Sequence, residues 1–221
     1  MSNRRARQAD FGTLVLLAAA SWFGVLLQLG LSLQRARDDG LSLTVGFIAY
    51  FGFFTIVSNI FVAVVASVRL LEPAAYASGN VRACATTAIL FVGLAYHFLL
   101  RKIYDPQGWH LVANVFLHYA VPFLALVHWI LFPPLQRLSI TGPLKWSVYP
   151  CGYFIYVLIR GVLIGTYPYF FIDVTTLGYA RTIANAIGLL ACFVLLGFVV
   201  RYMTRIRRPA ADAAALSSAA R

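Results

Sequence analysis

The sequence predicts an all-α fold, a polytopic membrane protein built as a six-transmembrane-helix bundle. Three observations carry that expectation. The 221 residues are 61% hydrophobic and only 11% charged, whereas soluble domains run at about 45–50% apolar and about a quarter charged. The mean hydropathy of +0.80 is more than a single soluble core of this size can hide from water. The apolar residues also come in continuous runs, unlike the alternating ten-residue segments of a membrane β-barrel.

Crossing about 30 Å of hydrocarbon takes roughly 20 apolar residues in a helix. Six stretches meet or approach that length: 11–33, 44–68, 83–100, 111–132, 149–166 and 182–200. The first follows Arg4, Arg5 and Arg7 but exceeds the 7–15 residues of a signal-peptide core, so it reads as a retained anchor. The second begins after the polar connection 35–40, and the third, a short one, after 69–82. Asp105-Pro106-Gln107-Gly108 precedes the fourth, and Pro133-Pro134 follows it. The fifth is short and contains Arg160; the sixth runs into an Arg-rich stretch. The chain thus divides into a basic N-terminus (1–10), a membrane domain (11–200) and a basic, Ala/Ser-rich tail (201–221), the tail expected to lack order. Its three cysteines form no CxxC pair, which argues against a zinc module or disulfide scaffold. Cys84, Cys151 and Cys192 are expected as free thiols.

The net charge of +11 and pI of 10.0 would suit nucleic acid if they formed one face of a soluble fold. They are distributed otherwise. With six spans both termini share a side, and that side carries 12 of the 18 basic residues but three of the seven acidic ones. Five basic residues (Arg35, Arg37, Arg101, Lys102, Arg181) lie on the other side, and Arg160 falls inside a span. The positive-inside rule places both termini in the cytoplasm. A balance of +9 there points to anionic lipid headgroups as the partner and away from nucleic acid.

Polar groups inside a bilayer are costly, so each is a functional candidate. At 1.5 Å per residue, Thr55 lies about 16 Å from the outer edge, His118 about 10 Å, Arg160 about 9 Å and His97 about 5 Å. Asn114 and Asn185 also fall in the outer half, whereas His128 sits near the inner end of its span. Residues on five helices therefore converge on an expected outer-leaflet polar pocket. Asn114 and His118 are four apart and share a helix face. Pro122 cannot donate to the His118 carbonyl, so a kink is expected there. Thr55, Ser58 and Asn59 share a face of the second span. A hydroxyl, an imidazole and amide donors are the parts of a nucleophile–base pair with an oxyanion site, and Arg160 would hold a substrate carboxylate. Structural roles stand beside these: Thr55 bonding its own helix, His118 as a satisfied interior histidine, Arg160 paired with Asp173. Trp109, Trp129, Trp146, Tyr149, Tyr167 and Tyr169 fit interfacial belts.

The segments Phe53-Phe54-Thr55-Ile56-Val57-Ser58-Asn59, Leu117-His118-Tyr119-Ala120-Val121-Pro122 and Arg160-Gly161 through Gly165-Thr166-Tyr167-Pro168-Tyr169, continuing to Asp173, resemble a bacterial family. It is that of the six-transmembrane integral membrane proteins called "Pr-six-Pr", and the resemblance covers about residues 11–200. More distantly, the same segments are similar to the androgen-induced gene 1 / FAR-17a-like membrane threonine hydrolases. Tyr119 stands where those proteins commonly have Thr, and Ser58 where they have Asn. The distant resemblance implies cleavage of fatty acid esters of hydroxy fatty acids, with Thr55 and His118 as the catalytic pair. Ser58, Asn59, Asn114 and Arg160 then fall to substrate or oxyanion binding, and neither metal nor cofactor is implied. Membership of the bacterial family implies a bacterial inner membrane. Two other functions fit the residues: a non-catalytic lipid or small-molecule binder or transporter, and a haem-binding electron carrier using His97 and His118.

Overall fold

The computed structural model describes residues 3–71, 78–134 and 136–206. Residues 207–221, most of the expected tail, lie outside them. All regular structure among the described residues is helical. In chain order the helices are α1 (Asn3–Asp38), α2 (Leu43–Phe51), α3 (Phe54–Leu71), α4 (Gly79–Ala95), α5 (Gly108–Val115), α6 (Val121–Leu131), α7 (Gly142–Trp146), α8 (Val148–Ile164) and α9 (Val174–Ile206). A π-helical turn, Tyr96–Leu100, prolongs α4, and another, Phe116–Ala120, joins α5 to α6. The helical segments Arg4–Asp38, Phe54–Leu71, Gly79–Leu100, Gly108–Leu131, Gly142–Ile164 and Val174–Thr204 are long and apolar enough to cross a membrane. The protein is a multi-pass membrane bundle.

α4 is the most enclosed of these segments. Ala83, Ala85 and Ala88 are buried along it, and small residues let α3, α6 and α9 approach closely. In a bilayer such close packing, not hydrophobic exclusion, holds helices together. Ala66, Ile89, Val121 and Trp129 fill the space around α4. At the end of the bundle where α1 begins, a closed ring of polar contacts ties three helices. Arg69 on α3 donates to the Asp10 carboxylate and, at 2.9 Å, to His128 Nε2. His128 Nδ1 then carries the proton and donates to Thr13 Oγ1 at 2.9 Å. His128 thus reads as a structural clasp.

Three expectations are corrected. The span expected as one helix over 44–68 is two: it breaks at Gly52 and Phe53 between α2 and α3. α2 folds back along the second half of α1, with Gly46 against Ala36 and the Tyr50 hydroxyl donating to the Val25 carbonyl at 2.8 Å. A broken helix at membrane depth leaves backbone groups that protein atoms must satisfy, and α8 supplies them. The Tyr153 hydroxyl donates to the Gly52 carbonyl at 2.8 Å, and Arg160 Nε donates to the Ile48 carbonyl at 3.2 Å. Second, the last helix continues to Ile206 instead of ending at 200, because Arg201 is buried and its Nε donates to the Ser139 carbonyl at 2.8 Å. Third, several aromatic residues expected at the interface turn inward. Trp129 and Trp146 are buried, their ring N–H groups donating to the Val200 carbonyl and to Asn80.

Candidate functional site

The break between α2 and α3 makes Thr55 the second residue of a helix whose first amides have no intrahelical acceptor. Two further irregularities converge on it. Pro122 has no N–H to give the His118 carbonyl, and the chain accommodates this by widening into the π-helical turn Phe116–Ala120. The kink expected at Pro122 takes that form. The neighbouring π-helical turn begins with Tyr96. Such turns re-aim side chains and recur at functional sites. Here they lay the Tyr96 ring on the His118 ring, with centroids 4.0 Å apart and planes 21° from parallel.

The tautomer of His118 follows from its partners. Nδ1 lies 3.1 Å from the Asn114 carbonyl, which only accepts, so Nδ1 carries the hydrogen and Nε2 offers a lone pair. Thr55 Oγ1 sits 3.3 Å from that Nε2 and donates to it. Asn114 acts twice, because its side-chain amide also donates to the Tyr96 hydroxyl at 2.8 Å. The carbonyl of Asn114 fixes the imidazole's proton, and its side chain fixes the ring stacked on that imidazole. On the far side of Thr55, the Tyr169 hydroxyl accepts the Thr55 N–H at 3.5 Å. The same hydroxyl also stands within hydrogen-bond reach of the Thr55 and Tyr153 side chains.

The remaining candidate residues stand elsewhere. The Ser58 hydroxyl is 3.1 Å from that of Tyr149 and fully buried. The Asn59 amide donates to the carbonyls of Thr55 and Leu117 at 2.8 and 3.2 Å, stapling α3 to the π-helical turn. Neither aims a donor at Thr55 Oγ1. Arg160 is buried and spends its donors on backbone, Nε on Ile48 and Nη1 on the Thr166 carbonyl at 3.1 Å. Its cationic head caps the negative end of α2. Gly52 packs on it so closely that a Cβ there would lie 2.9 Å from the guanidinium carbon. Asp173, the expected ion partner, instead accepts from the Thr175 amide and hydroxyl at the start of α9, and that hydroxyl holds its carboxyl below the ordinary range. Asn185 donates to the Phe171 carbonyl at 2.9 Å. The His97 ring packs edge-on to Phe98 and Tyr119.

Tyr96 and Tyr169 belong to the site although sequence reasoning did not select them. By sequence Tyr169 suits an interfacial belt, and its place in the Tyr167-Pro168-Tyr169 segment is the one hint of another role. A cavity of about 340 Å³ opens beside Thr55, among α3, α4, α8 and α9. Its wall is almost wholly apolar, formed by residues such as Phe91, Phe154, Ile187 and Phe193, with Thr55, Tyr96, Tyr153 and Tyr169 as its hydroxyl-bearing residues. The polar residues expected to share a pocket therefore divide: Thr55 lines the cavity, whereas His118, Asn114 and Arg160 do not.

Fold and site together define a multi-pass membrane bundle with a hydroxyl–imidazole pair whose hydroxyl residue, Thr55, lines an apolar cavity while the imidazole stands behind it. Comparison of the chain with protein-family models, with curated proteins and with solved structures finds no match.

Proposed function

We propose that the protein is a membrane-embedded carboxylic ester hydrolase acting on a lipid ester, with Thr55 as nucleophile and His118 as general base. The observation that carries this reading is the 3.3 Å approach of Thr55 Oγ1 to His118 Nε2, with the other ring nitrogen held by the Asn114 carbonyl. A base oriented by a third group beside a hydroxyl is the common logic of activated nucleophiles. In the reaction, His118 Nε2 takes the Thr55 proton as Oγ1 attacks the ester carbonyl. The oxyanion that forms accepts a hydrogen bond from Tyr169, whose hydroxyl stands beside Thr55 and whose oxygen is polarised by the Thr55 amide. Collapse expels the alcohol, which takes its proton from the His118 imidazolium, and leaves acyl-Thr55. A water, deprotonated by His118, then attacks the acyl group, releases the fatty acid and restores Thr55. The resemblance to the membrane threonine hydrolases supports the same assignment.

We further propose that the bundle lies in a bacterial inner membrane with both termini cytoplasmic and anionic headgroups against its basic side. The asymmetric distribution of Lys and Arg supports this orientation. A second reading, a non-catalytic lipid binder, draws on the near absence of polar groups along the cavity wall. Hydrolysis of long-chain p-nitrophenyl esters by the purified protein separates the two. The hydrolase reading expects turnover that disappears in both Thr55→Ala and His118→Ala; binding without turnover in the unaltered protein favours the second.

A further inference from the structure

The shape and chemistry of the cavity narrow the ligand, an inference that takes the hydrolase reading as its starting point. We infer that the cavity takes the acyl chain of an uncharged lipid ester, which enters sideways from the bilayer between α8 and α9.

The side entrance rests on exposure. Ile155 on α8 and Ile183 and Ile187 on α9 line the cavity yet are 59%, 46% and 62% exposed. A wall whose residues also form the outer surface is open there, and that surface is apolar, as hydrocarbon requires. A chain leaving a lipid leaflet can pass this gap without crossing water.

The ligand's length follows from the slot. Along α9 the lining runs from Ile183 to Phe193, about 15 Å at helical rise. An extended alkyl chain with C–C bonds of about 1.5 Å advances about 1.25 Å per carbon, so the slot holds roughly twelve carbons.

The absence of charge follows from where the cations are spent. No Lys, Arg, His, Asp or Glu lines the cavity among the described residues. Arg160, the one basic residue expected within a span, bonds the Ile48 and Thr166 carbonyls and lies outside the lining. A carboxylate on the ligand would be desolvated in the cavity with no cation to meet it. The site is therefore selective for neutral esters, in contrast to the carboxylate-bearing substrates that an Arg160 anchor would imply.

The test pairs binding with turnover in neutral detergent at about pH 9, where a carboxylate is charged. Two diazirine probes are compared, a monoacylglycerol laurate and a lauroyl ester of a hydroxy fatty acid with a free carboxylate. Labelling is measured on the unaltered protein and on Thr55→Ala, which binds without chemistry. The expected result is at least ten-fold stronger labelling by the neutral probe, mapped to peptides containing Phe154 or Ile187. The unaltered protein is also expected to hydrolyse the neutral ester at least ten-fold faster. Ala186→Trp, which fills the slot, is expected to shift the preferred chain to fewer carbons. Equal or stronger labelling by the carboxylate probe, or labelling mapped elsewhere, overturns the inference. If neither ester is hydrolysed while the neutral probe still labels the cavity, the hydrolase reading fails and the assignment of the occupant stands.

Discussion

Replacing Arg160 separates a substrate anchor from a structural cap. In the structure its guanidinium satisfies the Ile48 carbonyl left open where α2 ends and the Thr166 carbonyl after α8. A hydrogen bond from a charged donor contributes about 1.5–3 kcal/mol, so two give about 3–6 kcal/mol. Arg160→Ala also relieves the desolvation of a buried cation, which places the net loss near the lower figure, about 3 kcal/mol. For a chain of this length each kcal/mol moves the midpoint by about 2–4 °C, so a fall of about 6–12 °C is expected. A thiol-reactive dye reports it in neutral detergent, because Cys84 is buried and free and becomes accessible on unfolding. The heating rate is held constant, since such transitions are commonly irreversible. Arg160→Lys keeps the charge but loses the planar fork that spans two carbonyls, and is expected to recover less than half of the fall. An unchanged midpoint in Arg160→Ala, accompanied by lost ligand binding, would refute the structural role.

Other substitutions probe the surrounding geometry. Tyr169→Phe removes the hydroxyl proposed to stabilise the oxyanion while keeping the ring stacked on Phe171; kcat for ester hydrolysis is expected to fall about 10²-fold with little change in melting. Gly161→Ala would drive a Cβ into the Tyr167 ring, and overpacking of this kind costs about 1–3 kcal/mol. Its midpoint is expected to fall by several degrees, and the double variant with Tyr167→Ala to lose less than the two singles together. Thr13→Val breaks the ring of contacts through His128 and is expected to cost about 1 kcal/mol, read by the same thermal assay, without affecting turnover.

What could be read from the sequence depended on the range over which each residue acts. Six apolar runs are a local property, and all six segments were legible, as was the shared face of Asn114 and His118, four residues apart. The break at Gly52 and Phe53 was not, because one glycine in an apolar run is compatible with an unbroken membrane helix. What stabilises the break are Tyr153 and Arg160, about a hundred residues away. Arg160 stood out as a basic residue within a span, but its partners are backbone carbonyls, which have no sequence signature. Tyr169 was hidden by its own chemistry, since a tyrosine near a span end suits a membrane interface as well as a catalytic wall. Ser58 and Asn59 share a helix face with Thr55, yet the Ser58 hydroxyl pairs with that of Tyr149 and the Asn59 amide donates to backbone.

The central claim is that Thr55, activated by His118, is a nucleophile. A fluorophosphonate probe added to the purified protein tests it most directly, by transferring its phosphonyl group to an activated hydroxyl with loss of fluoride. The expected result is stoichiometric labelling of the unaltered chain, located at Thr55 by peptide mapping, retained in Thr55→Ser and lost in both Thr55→Ala and His118→Ala. Labelling that persists in both alanine variants, or that maps to another residue, contradicts it.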